Sequence, residues 1–377
     1  MRLYRQLAVR AEQNRDSGGL RAVHGRRKAK QLERCGEIEE AACPMIQQIV
    51  DDLWRIEVPL PGNPLKSINS YFIRGSSRNL LVDTGLNRQE CFEAIWSGLR
   101  QLDADLARTD FFITHMHADH SGLVARLATE TSRVYFNRPD AEILRNTDHW
   151  ETMLRRGAQN GFPEETLHAA LRSHPGFRHG SHAFPELTLL EEGDDLCVGT
   201  YRFRCVATPG HTRGHTCLYE PLRRLLLSGD HLLVDITPNI QCWSEDGNPL
   251  KEYLASLDKV RSLKVDLVLP GHRKLFRNHR ERIDELKGHH QRRAEEVLAI
   301  LDRGWMTAFE VASRMSWDID CDGWENFPPA QKWFATGEAL AHLRYLEEKG
   351  RVLRTDEPET GTTLFSSLSP GQTNPIC

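Results

Sequence analysis

The 377-residue sequence predicts an α+β protein. Two observations carry that expectation. Short apolar runs of strand length alternate with longer segments whose apolar residues recur at helical spacing. Several of the strand-like runs also break off at a glycine turn followed by a potential metal ligand. Rigid strands commonly present a site in this way, on the loops at their ends.

The pattern opens with strands near 52–58, 70–74 and 79–83, the last leading into Val82-Asp83-Thr84-Gly85. A helix near 88–101 follows, with Cys91, Ile95, Leu99 and Leu102 at helical spacing. Phe111-Phe112-Ile113 then feeds into Thr114-His115-Met116-His117-Ala118-Asp119-His120-Ser121-Gly122, which places His115, His117, Asp119 and His120 within one short loop. Crowding so many titratable groups is costly unless something pairs them. Imidazole and carboxylate donors together suit zinc, iron or manganese better than calcium. A short helix is expected over 120–130 and a strand over 133–136.

Between Arg138 and Leu190 the pattern turns helical. Pro139-Asp140 opens one helix, Thr147 or Asp148 caps a second that reaches Asn160-Gly161, and Pro163 starts a third over 163–173. This insertion lies between two ligand-bearing loops, where a lid would lie. Trp150, Met153 and Leu154 offer its apolar face to a pocket. Strands return at 201–207, 216–219, 223–228 and 265–269. They carry Thr208-Pro209-Gly210-His211-Thr212-Arg213-Gly214-His215, Ser228-Gly229-Asp230-His231 and Leu269-Pro270-Gly271-His272. Glycine allows the sharp turn and the close approach of backbone to a ligand.

A long helix is expected from His279 to Arg303. Thr307-Ala308-Phe309-Glu310 is a capping box. A further helix runs from Pro328-Pro329 to Lys349-Gly350, and 351–354 and 362–365 flank a turn at Gly361. Helix, helix, helix and hairpin resembles a winged helix. Residues 301–377 hold seven Lys or Arg against twelve Asp or Glu, a net −5, so nucleic acid is not the expected partner. A dimerising or pocket-closing element, with a homodimer as one outcome, fits that charge better.

Composition sets the outer bounds. Hydrophobic residues at 39% and charged residues at 27% are ordinary for a soluble protein, and the net charge of −4 offers no field for nucleic acid or an anionic membrane. Nine scattered cysteines without a C-x-x-C pair read as free thiols in a reducing compartment, the cytoplasm. Residues 1–44, with ten Lys or Arg, six Asp or Glu and few large apolar residues, read as a disordered extension. Met45 is an alternative start, and the acidic residues argue against a transit peptide. A catalytic domain is expected over 45–290, with its insertion at 138–190, and a second domain over 291–377.

The ordered set VDTG, THMHADHSG, TPGHTRGH, SGD and PGH resembles the metallo-β-lactamase superfamily, in particular its glyoxalase II-like branch. The resemblance covers about Met45 to Arg277. It implies an αββα sandwich and a dinuclear metal site, with zinc, iron or manganese as the two divalent ions. Residue by residue, it implies His115, His117 and His211 on the first metal and Asp119, His120 and His272 on the second. Asp230 and a hydroxide bridge the two. Asp230 stands where several true β-lactamases carry Cys. Asp83 matches the supporting carboxylate. His215 and His231 match no ligand position and are expected behind the ligands or on the pocket wall.

The expected chemistry is hydrolysis of a small acyl substrate (a thioester, lactone or activated ester) by the bridging hydroxide, with Asp119 guiding its proton. Glyoxalase II itself is disfavoured, because Leu232–Asn239 lacks a basic glutathione-binding pattern. A phosphodiesterase or nuclease is the alternative if Arg138, Arg145, Arg155, Arg156 and Arg172 gather at the mouth. A mononuclear iron sulfur dioxygenase is a third reading, which the complete second ligand set argues against.

Overall fold

The computed structural model describes residues 45–181 and 184–368; the expected extension at 1–44 lies outside them. Two sheets face each other. The first has seven strands in sequence order: β1 (Ile46–Val50), β2 (Leu53–Pro59), β3 (Ser67–Ile73), β4 (Asn79–Val82), β5 (Thr109–Phe112), β6 (Val134–Asn137) and β7 (Leu187–Leu190). Pairing is antiparallel from β1 to β4 and parallel from β4 to β7. The second sheet has the order β12-β11-β10-β9-β8, from β8 (Asp195–Val198), β9 (Tyr201–Ala207), β10 (Thr216–Glu220), β11 (Leu225–Gly229) and β12 (Leu267–Pro270). Leu53, Tyr71, Leu80, Val82 and Phe112 from the first sheet meet Phe203, Cys205, Leu218, Leu227 and Leu269 from the second in one buried layer.

Helix α1 (Gln89–Gln101) covers the outer face of the first sheet with Cys91, Ile95 and Leu99. It comes so close that a Cβ on Gly98 would lie 2.7 Å from Ile56 Cγ2. The helix expected over 120–130 is instead two single turns, α2 (Ala118–Ser121) and α3 (Val124–Leu127). They divide at Gly122, where backbone is packed so tightly that a Cβ would sit 2.4 Å from Ala118 O and 2.7 Å from Asn87 N.

The insertion holds α4 (Arg138–Arg145), α5 (His149–Gln159), α6 (Glu164–Ser173) and α7 (Pro175–His179). The first three start where Pro139, Asp148 and Pro163 placed them. α8 (Pro249–Arg261) and α9 (His279–Leu301) cover the second sheet. α9 buries Ile283, Leu286, His290, Ala294, Val297 and Leu301, spaced three and four apart.

α10 (Ala308–Ala312) opens with the capping box, Thr307 Oγ1 accepting from Glu310 N–H while Glu310 accepts from Thr307 N–H. α11 (Pro329–Glu348) is buried nearly all round, as a central helix must be. β13 (Val352–Asp356) and β14 (Thr363–Ser367) form the closing hairpin. The apolar layer is continuous from the second sheet through α8 and α9 to α11 and β14. No helix among the described residues is long and apolar enough to cross a membrane.

Candidate metal centre

Asp83 and the loops after β5, β9, β11 and β12 converge at one edge of the sandwich. Three overlapping groups of donor atoms form there, each within 4.8 Å: His115, His117 and His211; His115, His120 and Asp230; Asp119, His120 and His272. All seven residues expected as ligands are therefore together. Asp230 lies between the groups. Its Oδ2 is 3.4 Å from His211 Nε2, and its Oδ1 is 3.4 Å from His120 Nε2 and 3.6 Å from His272 Nε2. Asp119 Oδ2 lies 3.4 Å from His272 Nε2, and His115 Nε2 is 3.0 Å from His117 Nδ1.

The outer ring nitrogens explain why the inner ones point as they do. His211 Nδ1 lies 2.8 Å from Asn239 O, and His272 Nδ1 lies 2.7 Å from Ser67 O. A carbonyl only accepts, so each Nδ1 carries the proton and each Nε2 presents its lone pair inward. His120 Nδ1 meets Asp83 Oδ2 at 2.7 Å to the same effect. Nε2 of His120, His211 and His272 and Oδ1 of Asp230 are buried without a hydrogen-bond partner. Converging, buried, unpaired acceptors are costly unless a cation takes them. The donor set of imidazoles and carboxylates fits a zinc-like ion.

Charge follows the same geometry. Burial, and then the neighbouring rings, hold His115 below the usual imidazole range; burial lowers His211 and brings His117 to about 3. Burial would lower His120 and His272 too, but the carboxylates beside them outweigh it and raise both. Burial likewise works against the ionised carboxylates of Asp119 and Asp230, yet the imidazoles hold both below the usual carboxylate range. The cluster favours positive charge beside its carboxylates, which is what a divalent ion supplies.

The supporting residues fall into place around it. Asp83 has a left-handed backbone, φ 58°, and its carboxylate accepts from Thr114 N–H at 2.9 Å as well as from His120. Strain of that kind is held by its surroundings at sites where geometry matters. His215 Nε2 accepts from Asp230 N–H at 3.1 Å, so it sits behind a residue expected as a ligand. His231 is buried one ring further back, 6.1 Å from His215, with neither ring nitrogen partnered and no share in the cavity wall.

Close approach accounts for two glycines. A Cβ on Gly271 would lie 2.7 Å from Asp230 Oδ1 and 2.8 Å from His120 Cε1, and one on Gly229 would lie 2.7 Å from His215 Nε2. The first sheet grips the His272 loop through Asn69 N–H to Gly271 O at 2.7 Å and Tyr71 Oη to Pro270 O at 2.8 Å.

One residue was missed. The sequence marks Asp140 only as a helix opener, yet it is fully buried. It accepts from Met116 N–H at 3.0 Å, Gly214 N–H at 2.7 Å and Thr212 Oγ1 at 2.7 Å. It thus ties the loop of His115 and His117 to the loop of His211. Burial raises its carboxyl pKa.

His117, Asp119, His211 and Asp230 line a cavity of about 1290 Å³, while His115, His120 and His272 are fully buried behind them. Trp150 and Met153 line it, but Leu154 does not. One position further round the helix, Leu154 packs with Phe162, Leu167 and Trp333 and anchors the insertion to α11. Of the arginines expected at the mouth, Arg145 and Arg156 line the cavity; Arg138, Arg155 and Arg172 do not. Arg156 is paired with Glu245, and Arg138 pairs with Glu191 instead.

Residues 63–272 match the family model described as the metallo-beta-lactamase superfamily, and residues 325–367 match the model described as the metallo-beta-lactamase-like C-terminal domain. The chain is similar to an acyl-coenzyme A thioesterase of Homo sapiens, 28% identical over 225 residues that cover 55% of this chain and 74% of that one. It is also similar to a probable metallo-hydrolase of Bacillus subtilis (strain 168), 26% identical over 84% of this chain and 98% of that one. A solved metallo-beta-lactamase family protein from Thermus thermophilus superposes with a TM-score of 0.72 at 31% identity, covering 85% of this chain and all of that one. The family model spans more than half of the sequence, and its strands carry the converging donors: the chain belongs to the metallo-beta-lactamase superfamily.

Proposed function

We propose that this hydrolase cleaves a small acyl substrate, a thioester first and a lactone or activated ester next, with two divalent transition-metal ions, zinc in the first instance. One observation carries the reading: seven donor residues converge, and four of them, His117, Asp119, His211 and Asp230, line a large cavity walled by Trp150, Met153, Trp243 and Phe334. A thioesterase among the relatives supports the acyl class. Asp230 in place of a thiolate supports the glyoxalase II-like branch.

His115, His117 and His211 would hold one ion, Asp119, His120 and His272 the other, with Asp230 reaching both. Such a pair of ions lowers the pKa of bound water towards 7 and polarises the attacked carbonyl. The chain's own groups do the rest. Asp119 lines the cavity, and its Oδ2 faces His272, so its other oxygen is free to hold the proton of the attacking water. A departing thiolate needs no strong acid. Among the described residues the cavity lining offers no cysteine; Cys91, Cys217 and Cys242 are buried elsewhere, and burial pushes their thiols to about 11, 12 and 11. Thiols throughout the described chain support a reducing compartment such as the cytoplasm. The Trp150 and Phe334 walls bring the insertion and the winged-helix-like C-terminal region together as the closing elements.

Phosphodiester hydrolysis is the competing reaction. Glu186, Glu245, Asp246 and Glu252 share the lining with Arg145, Arg156 and Arg213, an acidic excess that repels a phosphodiester. The test is a panel of acyl thioesters, lactones and bis-p-nitrophenyl phosphate with the purified protein. Turnover led by thioesters supports the reading; turnover of the phosphodiester alone replaces it.

A further inference from the structure

Residues 239–248 make one wall of the cavity through Asn239, Gln241, Trp243 and Glu245. The stretch has no helix or strand of its own. It is laid instead along α11 of the C-terminal region. Asn239 Nδ2 donates to Glu338 Oε2 at 3.0 Å, and Cys242 N–H donates to Gly337 O at 3.1 Å. Trp243 stacks on Trp333 with ring centres 4.1 Å apart, and Asn248 Nδ2 donates to Glu348 Oε2 at 2.9 Å. Gly337 makes the fit possible, since a Cβ there would sit 2.7 Å from Trp243 Nε1.

The first of these contacts reaches the metal centre. The residue that Glu338 grips by its side chain is the one whose carbonyl accepts from His211 Nδ1. Glu338 is only 8% exposed. Its other oxygen lies 3.5 Å from Arg293 Nε, itself 8% exposed and beyond hydrogen-bonding geometry. A carboxylate so buried is rare unless its position is needed, because apolar packing would be at least as stabilising there.

We propose that Glu338 is a positioning residue of the metal centre. Through the Asn239 side chain it fixes the carbonyl that sets the tautomer and direction of His211, so the C-terminal region takes part in building the site. The proposal rests on the assignment of His211 as a ligand. The hydrogen bonds that orient ligating histidines are typically worth about 10- to 100-fold in metal affinity.

The test is the zinc dissociation constant of the full-length protein, measured by chelator competition, beside the melting temperature of the metal-free form. Glu338→Ala and Asn239→Ala should each weaken zinc binding by about 10-fold, the low end for loss of an orienting contact, because the Asn239 carbonyl itself remains. The double variant should lose no more than the worse single, because both break one chain of contacts. Glu338→Gln, whose amide oxygen still accepts from Asn239, should restore affinity to near the wild-type value.

A purely structural role would lower the melting temperature and leave the dissociation constant alone, and that result overturns the proposal. Should Glu338→Ala fail to fold, Asn239→Ala decides, since it leaves Glu338 beside Arg293. His211→Ala separates the two layers of the argument. If it binds zinc like the wild type, the ligand assignment falls and the proposal with it. If it loses zinc while a folded Asn239→Ala does not, only the role of Glu338 falls.

Discussion

Replacing Gly271 by alanine adds one methyl group where two candidate ligands converge. The new Cβ would lie 2.7 Å from Asp230 Oδ1 and 2.8 Å from His120 Cε1, whereas ordinary contact begins at 3.4 Å. Relief needs a shift of about 0.7 Å, the difference between 3.4 and 2.7 Å. Neither neighbour yields easily. His120 is fully buried and held by Asp83 at 2.7 Å, and the Asp230 carboxylate is enclosed by the His120, His211 and His272 rings at 3.4, 3.4 and 3.6 Å. Working constellations tolerate about 0.5 Å, and displacement near 1 Å costs on the order of a hundredfold in rate. The expected loss in kcat/KM is therefore about 100-fold, or about 2.7 kcal/mol of transition-state stabilisation. The backbone at 271 is outside the left-handed region, so alanine brings no conformational strain of its own. The assay is steady-state hydrolysis of the best substrate in the panel, with metal content measured on the same preparation. A folded Gly271→Ala with wild-type metal content and rate would refute the tight convergence of Asp230 and His120.

Further outcomes follow from other parts of the structure. Trp150→Ala removes a cavity wall that makes edge-on ring contacts with His174 and Phe177 at 5.1 and 5.7 Å; kcat/KM for acyl substrates should drop by about 10- to 100-fold with metal content intact, as steady-state kinetics would show. Asp140→Ala strands a buried and a half-buried N–H group and a buried hydroxyl; at roughly 1–3 kcal/mol for each buried group, urea unfolding should show a loss of at least about 2 kcal/mol. His342 is fully buried, and burial brings it to about 4, so the folded protein resists a proton that the unfolded chain takes up near 6.5. Its contribution is present above about 6.5 and is lost as pH falls towards 4, so His342→Gln should flatten the stability slope there by about 1.4 kcal/mol per pH unit, read by urea unfolding of metal-free protein.

The candidate site was legible because each donor follows a strand directly in sequence, so His115, His211, Asp230 and His272 announce themselves locally. Helices were legible where their starts are chemical, as at Asn137-Arg138-Pro139 and Thr307–Glu310. What sequence could not show depends on segments far apart in the chain. β1, β7 and β8 are short strands with at most two fully buried positions, so apolar alternation hardly marks them. Asp140 gains its role only when loops near 116 and 214 fold onto it. Met153 and Leu154 are adjacent and both pack against the cluster of Phe162, Leu167 and Trp333, yet only Met153 also lines the cavity, a difference that depends on distant parts of the chain. The partners of His211 and His272 are main-chain carbonyls, which every residue has.

The proposed two-ion centre bridged by Asp230 is best probed by elemental analysis of the purified protein and of Asp230→Ala, each assayed on an acyl thioester. That centre requires close to two transition-metal ions per wild-type chain with thioester turnover, and loss of metal and turnover together in Asp230→Ala. A folded Asp230→Ala that keeps full activity, or an active wild type with a single ion, would contradict it.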